Sequence, residues 1–469
     1  MTRTASAPPT AATNIIASEP ERSIAPRERR AADEAEVGPA AGPSSPWRKW
    51  YALGVLILIG LFNYIDRQSL AILQIPIKRE LSLSDTQLGA LTGLAFALLY
   101  TSMGLPLGRL ADRGNRKTLI AVALGLWSLM TAASGLAVGM ITLVIARMGV
   151  AFGEAACAPT SHSLISDYFP REQRATAIGT WMLTFPVGTM LGFVAGGWLA
   201  TALGWRQAFA MLGLCGFALV PLVLLTMREP QRGATDGVPV TSEQLPWVAA
   251  LRKLWSLRAF RHATIGGALV DYTLYATLNW NAPFYNRAFG LSMHEIAAHL
   301  ALISGVGGGL GVYLGGALTD RLGRRDARWY AWVPAIAALA AVPMMLIQYF
   351  TVVPRLSLWV GVLSALFLSS FLAPLVATGQ SLVPASMRAF TSAVLVLAVN
   401  IVGLGLGPLF TGMISDWLVS HHNLGNDSLR YAITASALVS IWGAAHFLRA
   451  ARFVREELAA ARSQGASAS

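Results

Sequence analysis

The chain has 469 residues, of which 54% are hydrophobic and only 13% are charged, with a formal net charge of +12. Soluble proteins carry about 25% charged residues, so this composition excludes an ordinary water-soluble domain and indicates a protein that resides in a bilayer. The positive charge could suggest a nucleic-acid partner, but Lys and Arg cluster in loops on one predicted side of the membrane. Insertion topology explains that asymmetry better, so we expect no nucleic-acid partner.

The first part of the chain combines a polar tail with six predicted helices. Residues 1–47 are rich in Ala, Pro, Ser, Glu and Arg without apolar periodicity, which predicts a disordered cytoplasmic tail. Residues 48–227 hold apolar runs of about 20 residues, long enough for membrane-spanning helices. We expect these runs to form an N-terminal six-helix bundle, in which Ser84 or Asp85 caps the second helix.

The second part of the chain repeats this plan after a polar stretch. Residues 228–260 predict a cytoplasmic linker, with a surface amphipathic helix at Trp247–Leu257. Residues 261–450 predict a C-terminal six-helix bundle, and residues 451–469 predict a second cytoplasmic tail. The sequence therefore predicts an all-α membrane protein with twelve transmembrane helices in two six-helix bundles. The bias of Lys and Arg predicts a cell-membrane protein (inner membrane in a bacterium) with both termini in the cytoplasm.

Two short charged loops of nearly the same sequence lie between predicted helices. Gly108–Lys117 reads G-R-L-A-D-R-G-N-R-K, and Gly316–Arg325 reads G-A-L-T-D-R-L-G-R-R. The second copy fits the pattern G-x-x-x-D-R-x-G-R-[RK], and the first departs from it only in the order of Gly114 and Asn115. Both loops resemble the signature that follows the second helix of each half in the major facilitator superfamily. The resemblance implies a transporter with the major facilitator fold.

This resemblance implies a gating role for the charges of the two loops. Asp112 and Asp320 would end their helices at the cytoplasmic face, where a carboxylate can cap the N-terminus of a helix from the other half. Asp112 would face the eleventh helix and Asp320 the fifth. The alternative, that these charges only set the topology, stays open. The charge cluster that closes the cytoplasmic gate would also include Arg113, Arg116, Asp167, Arg321, Arg324 and Arg325.

Four ionisable residues lie at predicted membrane depth, where a charge costs about 2.5–3.5 kcal/mol or more. At 1.5 Å per residue, Asp66 and Arg147 both lie about 24 Å above the cytoplasmic face, so an ion pair between them is allowed. Arg147 and Glu154 lie about two turns apart on one helix face, and Asp271 lies near mid-depth in the seventh helix. We expect these residues to couple transport to protons, with Glu154 central because burial favours a neutral carboxyl. A structural pair that locks the first and fourth helices is the alternative.

Further motifs narrow the resemblance to one branch of the superfamily. Asn63–Arg67 reads N-Y-I-D-R, Leu81–Gly89 reads L-S-L-S-D-T-Q-L-G, and Gly153–Pro170 reads G-E-A-A-C-A-P-T-S-H-S-L-I-S-D-Y-F-P. Together with the G-N order of the first loop, these motifs resemble the Spinster-like branch. The resemblance implies proton-linked transport of lysolipid-type or sphingoid amphiphiles, with Asp66 and Glu154 as the groups that bind protons.

The predicted transporter works by alternating access around a central site between the bundles. Arg67 or Arg147 could meet an anionic head group, because a planar cation suits phosphate or carboxylate. A proton-coupled carrier for aromatic or sugar acids is the alternative within transport. The substrate would contact Asn63, Tyr64, Arg67, Ser161, His162, Tyr275, Asn279, Trp280 and Gln380.

Functions outside transport find less support in the sequence. A non-transporting membrane sensor would need a folded output domain, which is not evident. An enzyme is disfavoured, because the chain shows no nucleotide loop, metal-spaced cluster or Ser-His-Asp set. We expect no cofactor or metal, a monomer, and substrate, protons and membrane lipids as partners. Cys157 and Cys215 fall inside apolar runs, so we interpret both as small core residues without a disulfide.

Overall fold

The computed structural model describes three stretches of this chain. The predicted N-terminal tail lies almost wholly outside the described residues, as does the middle of the predicted linker. Within the described stretches the chain is almost entirely helical and contains no strand. The three stretches are residues 46–231, 246–384 and 387–466.

Twelve long helices, α1 to α12, follow one another in the described part of the chain, and a short linker helix (Trp247–Ser256) separates α6 from α7. Three of them contain a π-helical turn, a feature often found at functional sites. The helices are α1 (Pro46–Leu81), α2 (Asp85–Gly89, π-turn Ala90–Leu94, Ala95–Arg113), α3 (Arg116–Ser134), α4 (Met140–Glu154, Cys157–Tyr168), α5 (Arg171–Met182, Thr184–Leu203), α6 (Trp205–Phe217, Leu219–Thr226), α7 (Arg258–Phe289), α8 (Met293–Leu300, π-turn Ala301–Gly308, Gly309–Gly323), α9 (Trp329–Phe350), α10 (Pro354–Ser369, Leu372–Ser381), α11 (Arg388–Val399, π-turn Asn400–Leu406, Gly407–His422) and α12 (Ser428–Ala466).

Side-chain caps fix where several helices begin. The Ser84 hydroxyl accepts the backbone N–H of Gln87, whose side chain in turn accepts the N–H of Ser84, so Ser84 is the cap predicted for α2. Asn115 caps α3 by accepting the backbone N–H of Thr118. These caps satisfy N–H groups that the first turn of a helix leaves unpaired.

Eleven of the described helices are long and apolar enough to cross a membrane, judged by length and composition. The remaining long helix, α7, buries an unusual set of polar side chains instead. Cys157 is buried as expected, whereas Cys215 is exposed on α6, so the prediction of a core position was wrong for that residue. The buried polar residues of α7 are Thr264, Asp271, Thr273, Thr277, Asn279 and Asn281.

The helices form two six-helix bundles, α1–α6 and α7–α12. We call the face that carries the loop between α2 and α3 and the loop between α8 and α9 the motif face, and the other face the opposite face. The bundles meet mainly near the opposite face, where the start of α2 packs on the end of α11 and the end of α5 packs on the start of α8. Glycines allow this approach: a Cβ at Gly93 would lie 2.7 Å from the carbonyl oxygen of Gly405.

Near the motif face the bundles are apart. The first segment of α5 (Arg171–Met182) and the last segment of α8 (Gly309–Gly323) make no extensive contact across the halves in the described structure. The apolar side chains of Met182 and Leu183 are 60% and 58% exposed there. The space between the bundles is therefore open toward the motif face and closed toward the opposite face.

The last helix is longer than the sequence pattern predicts. The apolar pattern places the end of α12 near residue 450, but the helix continues to Ala466. Its extension is held because the Glu457 carboxylate accepts the backbone N–H groups of Arg258 and Ala259, at 2.8 and 3.1 Å. A carboxylate there caps α7 and is stabilised by the helix dipole, which also explains why α7 begins at Arg258.

Candidate substrate and coupling site

A buried ion pair joins α1 to α4. The Arg67 guanidinium donates to Oε2 of Glu154 through Nη2 at 2.7 Å and through Nε at 3.2 Å. The side chain of Glu154 is fully buried, and that of Arg67 is 8% exposed. Glu154 ends the first segment of α4, directly before the turn that interrupts this helix. The pair therefore holds α1 against the break in α4.

Aromatic rings surround the Arg67 guanidinium. Its central carbon lies 4.7 Å from the ring centre of Tyr100, 4.8 Å from that of Phe96 and 5.4 Å from that of Tyr64. Cation–π contacts of this kind are worth about 0.5–2 kcal/mol each, and more when water is excluded. These cation–π contacts do not depend on Glu154, so Arg67 would keep stabilising partners if the ion pair opened.

The predicted ion pair between Asp66 and Arg147 is not formed. Asp66 accepts from the Thr131 hydroxyl at 3.0 Å, and its second oxygen has no hydrogen-bond partner. No carboxylate lies within 4.0 Å of the Arg147 guanidinium among the described residues, and its Nε and Nη1 atoms have no partner. Consecutive helical residues point about 100° apart. Asp66 consequently faces α3, while the next residue, Arg67, pairs with Glu154 of α4.

A small cavity lies between the bundles beside this cluster. Its volume is about 10 Å³, which is room for about one water molecule. It brings together Arg67, Tyr275 and Asn279, three of the predicted substrate residues, with Arg147. Its other lining residues are Gln68, Leu70, Thr92, Phe96 and Leu404.

Other predicted substrate residues lie on α1 and α4 with unused polar atoms. Asn63 is 5% exposed, and its Nδ2 has no partner. Tyr64 packs edge-on against Phe185, and His162 packs edge-on against Trp181 with a free Nε2. Ser161 is buried on the same helix. Buried polar groups are rarely left unpaired, so atoms of this kind are suited to a ligand or to water.

Two predicted substrate residues outside the cavity lining are engaged in contacts with other helices. Trp280 is fully buried and donates its Nε1–H to the carbonyl oxygen of Pro408 at 2.9 Å, so it packs α7 against α11. Gln380 lies one residue before the end of α10, near the motif face, and donates to the Ser392 hydroxyl at 2.9 Å. The sequence did not reveal which side of α7 carries Trp280, nor that Gln380 lies at the end of α10.

Asp271 stands apart from the charge cluster. It lies on α7, is 2% exposed, and its Oδ2 has no hydrogen-bond partner. The carboxyl packs directly on Gly403 of α11, where a Cβ would overlap it. Tyr275 follows one turn later and is half-buried. Asp271 is thus a buried acid of the second bundle with no ion pair among the described side chains.

The loop charges at the motif face are not engaged between the bundles in the described structure. Arg116 is buried and forms ion pairs with Asp167 and with Glu229 (2.7 Å), all within the first bundle. Glu229, at the end of α6, was not anticipated. The side chain of Asp112 lies outside the described residues. The exposed members of the predicted cluster are Arg113, Asp320, Arg321, Arg324 and Arg325.

A second charge cluster, absent from the sequence predictions, connects the bundles at the opposite face. Asp85 is 1% exposed and accepts from Arg287 at 2.5 and 2.8 Å, from Ser415 at 2.7 Å, and from Lys78. Asp416 accepts the backbone N–H groups of Asp85 and Thr86 at 3.0 and 2.7 Å, which caps α2 from the other bundle. We call this cluster the opposite-face latch: Lys78, Asp85, Arg287, Ser415 and Asp416. Basic residues are rare at the opposite face, and this rarity could have singled out Lys78 and Arg287 as candidates for ion pairs.

Comparisons with known proteins agree with this architecture. Residues 56–408 match the Major Facilitator Superfamily. An MFS-type efflux pump of Mycolicibacterium smegmatis is 33% identical over 89% of this chain and 96% of its own length. Protein spinster homolog 3 of Danio rerio is 27% identical over 90% of each chain. A hexuronate transporter of Bacillus subtilis is 27% identical over 58% of this chain and 65% of its own length.

A solved structure extends the comparison to three dimensions. The crystal structure of a bacterial homologue of the human lysosomal transporter Spinster, in an inward-facing and unoccupied conformation, superposes with a TM-score of 0.82. It is 30% identical and covers 88% of this chain and 99% of its own. Sequence, helix order and overall shape agree over nearly the whole described structure. The chain therefore belongs to the major facilitator superfamily of membrane transporters, in its Spinster-like branch.

Proposed function

We propose that this protein is a proton-coupled secondary transporter that moves an anionic amphiphile of lysolipid or sphingoid type by alternating access. The observation that carries the proposal is Arg147, a buried cation without a carboxylate partner among the described residues, beside a cavity between the bundles. An unpaired charge at membrane depth is expensive. An anionic head group that reached Arg147 through the motif-face opening would relieve that cost.

Proton coupling in this proposal rests on the neighbouring ion pair. Glu154 holds Arg67 in the present state, and Asp66 lies beside it in sequence with one unpaired oxygen. A proton that reaches Glu154 removes the charge that holds Arg67. Arg67 then keeps its aromatic contacts and can turn its guanidinium toward the anion at Arg147. Substrate binding and protonation thereby favour the same rearrangement, which is the requirement for coupling.

The gates follow from the two charged faces. The positive-inside bias supports a cytoplasmic motif face, with both termini in the cytoplasm and bundles over about residues 48–227 and 261–450. The present state is then open to the cytoplasm, with the opposite-face latch closed. On reversal the latch would open, and Asp112 and Asp320 would cap helices across the motif face. Arg113, Arg321 and Arg324 are exposed and available for that closure.

An organic-anion carrier is the second candidate. The hexuronate transporter among the relatives favours it, and a sugar acid would present the same carboxylate to Arg147. The two candidates differ in what surrounds the anion. An amphiphile needs an apolar channel for its chain, whereas a sugar acid needs polar partners such as Asn63 and His162.

Ligand-induced thermal stabilisation of the purified protein tests this proposal. The panel consists of single-chain amphiphiles with phosphate, carboxylate or choline head groups, and glucuronate as the sugar acid. Stabilisation by the anionic amphiphiles supports the first candidate, and stabilisation by glucuronate alone supports the second. Arg147→Gln should abolish the effect, while Arg355→Gln, at an exposed arginine of α10, should preserve it. Equal stabilisation of both variants would contradict the role of Arg147.

A further inference from the structure

We propose that Asp271 is a second proton-binding site, located in the second bundle, whose protonation holds the bundles closed at the opposite face. The inference rests on the proposed proton-coupled cycle and deepens it. It assigns one proton site to each bundle, where the proposal above needs only the cluster of α1 and α4.

The surroundings of Asp271 offer no counter-ion. The residue lies 13 positions after the start of α7 (271 − 258), or about 20 Å along the helix. The next titratable side chains along α7 are Tyr272, the following residue, and Tyr275, one turn on. Tyr275 shares the small cavity with Arg67 of α1. Arg67 itself is bound to Glu154. An ionised carboxyl at Asp271 would therefore be buried without a partner, which is far more costly than a neutral one.

The helices of the second bundle that pack along α7 at this level, α10, α11 and α12, bring no charge to it. α11 has none between Arg388 and Asp416, and α12 none between Arg430 and His446. α10 has none after Arg355.

His446, near the middle of α12, contacts His262, nine residues before Asp271 on α7 (271 − 262). α1 of the first bundle also packs on α7, but its Arg67 is bound to Glu154. Among the described residues of the second bundle no cation can neutralise this carboxyl, so a proton has to do so while Arg67 stays with Glu154.

The carboxyl is wedged against a π-helical turn of α11. Gly403 lies in the middle of that turn, Asn400–Leu406, and its missing side chain is what admits Asp271. A π-turn leaves the local hydrogen-bond ladder irregular, which makes the segment easier to shift than a regular helix. An ionised Asp271 would need water or other hydrogen-bond donors. The simplest movement that admits them would separate α7 from this turn.

The same turn also forms the seam between the two bundles. On its far side the carbonyl oxygens of Leu404 and Gly405 approach Gly93 of α2, within 2.9 and 2.7 Å of where a Cβ would stand. One turn later Pro408 accepts from Trp280 and contacts Gly89. Asp271 therefore contacts one side of the π-turn of α11, and the other side of this turn contacts α2 of the first bundle. Protonation favours the seam, and loss of the proton loosens it.

Distance measurements between spin labels across the opposite face test this inference without any substrate. Cysteines replace Ser82 (between α1 and α2) and Asn426 (between α11 and α12), which are both exposed, in a chain carrying Cys157→Ser and Cys215→Ser. The first-bundle acids are silenced by Asp66→Asn with Glu154→Gln, and Arg67→Gln is added so that Glu154→Gln does not free the Arg67 guanidinium beside Tyr275. We expect this protein to keep a pH-dependent lengthening of the distance as pH rises from about 5 to about 9. Adding Asp271→Asn should abolish it.

The control and the second variant keep the outcome decisive. Asp427→Asn makes the same chemical change at an exposed acid and should leave the pH response intact. Gly403→Ala should lengthen the distance even at low pH, because its Cβ displaces the carboxyl. A response that survives Asp271→Asn, or that is already absent once the first-bundle acids are silenced, overturns the inference. Neither result touches the proposed function, whose tests are ligand-induced stabilisation of Arg147→Gln and accumulation of substrate by Glu154→Gln along a pH gradient.

Discussion

The substitution Asp85→Asn tests the closed state most directly. Asp85 is 1% exposed and holds the only carboxylate that Arg287 and Lys78 contact in the described structure. Removal of one partner from a buried ion pair costs about 3–5 kcal/mol. Arg287 and Lys78 remain 17% and 32% exposed, so water recovers part of that cost and we expect about 2–3 kcal/mol. This shifts the equilibrium toward the state open at the opposite face by about 30- to 150-fold.

The assay is the spin-label distance between positions 82 and 426 across the opposite face, measured in the full chain with the Cys157→Ser and Cys215→Ser changes and with the first-bundle acids intact. The matched control is Glu80→Gln, because Glu80 pairs with Arg206 at the same face but within the first bundle. The control should leave the distance distribution unchanged. Adding Arg287→Gln to Asp85→Asn should restore part of the closed population, since it removes the unpaired cation. An open-to-closed ratio of Asp85→Asn within about twofold of the wild-type ratio would refute the reasoning, because 2 kcal/mol already predicts a change of about thirtyfold in that ratio.

Three other predictions concern coupling, gating and packing. Glu154→Gln should abolish accumulation driven by a pH gradient while counterflow exchange persists, as measured in proteoliposomes; full accumulation would make the residue structural. Asp320→Asn should slow transport at unchanged membrane insertion, because closure at the motif face loses a charge–dipole interaction worth about 0.3–1 kcal/mol; wild-type rates at equal expression would count against the gate. Trp280→Ala should lower the free energy of unfolding by about 3–5 kcal/mol yet preserve ligand-induced stabilisation, since Trp280 packs α7 on α11; loss of ligand response in a stable Trp280→Phe variant would return it to the substrate site.

The fold was largely predictable, because its signals are local. Apolar runs of membrane length, the cap at Ser84 and the repeated loop motif each depend on residues that are close in sequence. The pairing of Arg67 with Glu154 was not, because residue counting gives the height of a side chain along its helix but not its direction. That direction depends on how α1 is rotated against α4, which is set by packing over the whole helix. The opposite-face latch is harder still, since Asp85 and Arg287 meet only after both bundles have formed.

The extended α12 changes how the connection between the bundles must be viewed. At 39 residues it is about 58 Å long, nearly twice the thickness of the hydrocarbon layer. Its projecting part caps α7 through Glu457, and the linker helix packs on α7 through Ala250 and Leu254. The end of α12 and the linker helix thus both pack on the start of α7 and extend the second bundle beyond the length that spans a hydrocarbon layer. In the proposed alternating-access cycle we expect the linker helix to move together with the second bundle, and residues 451–466 of α12 to move with it.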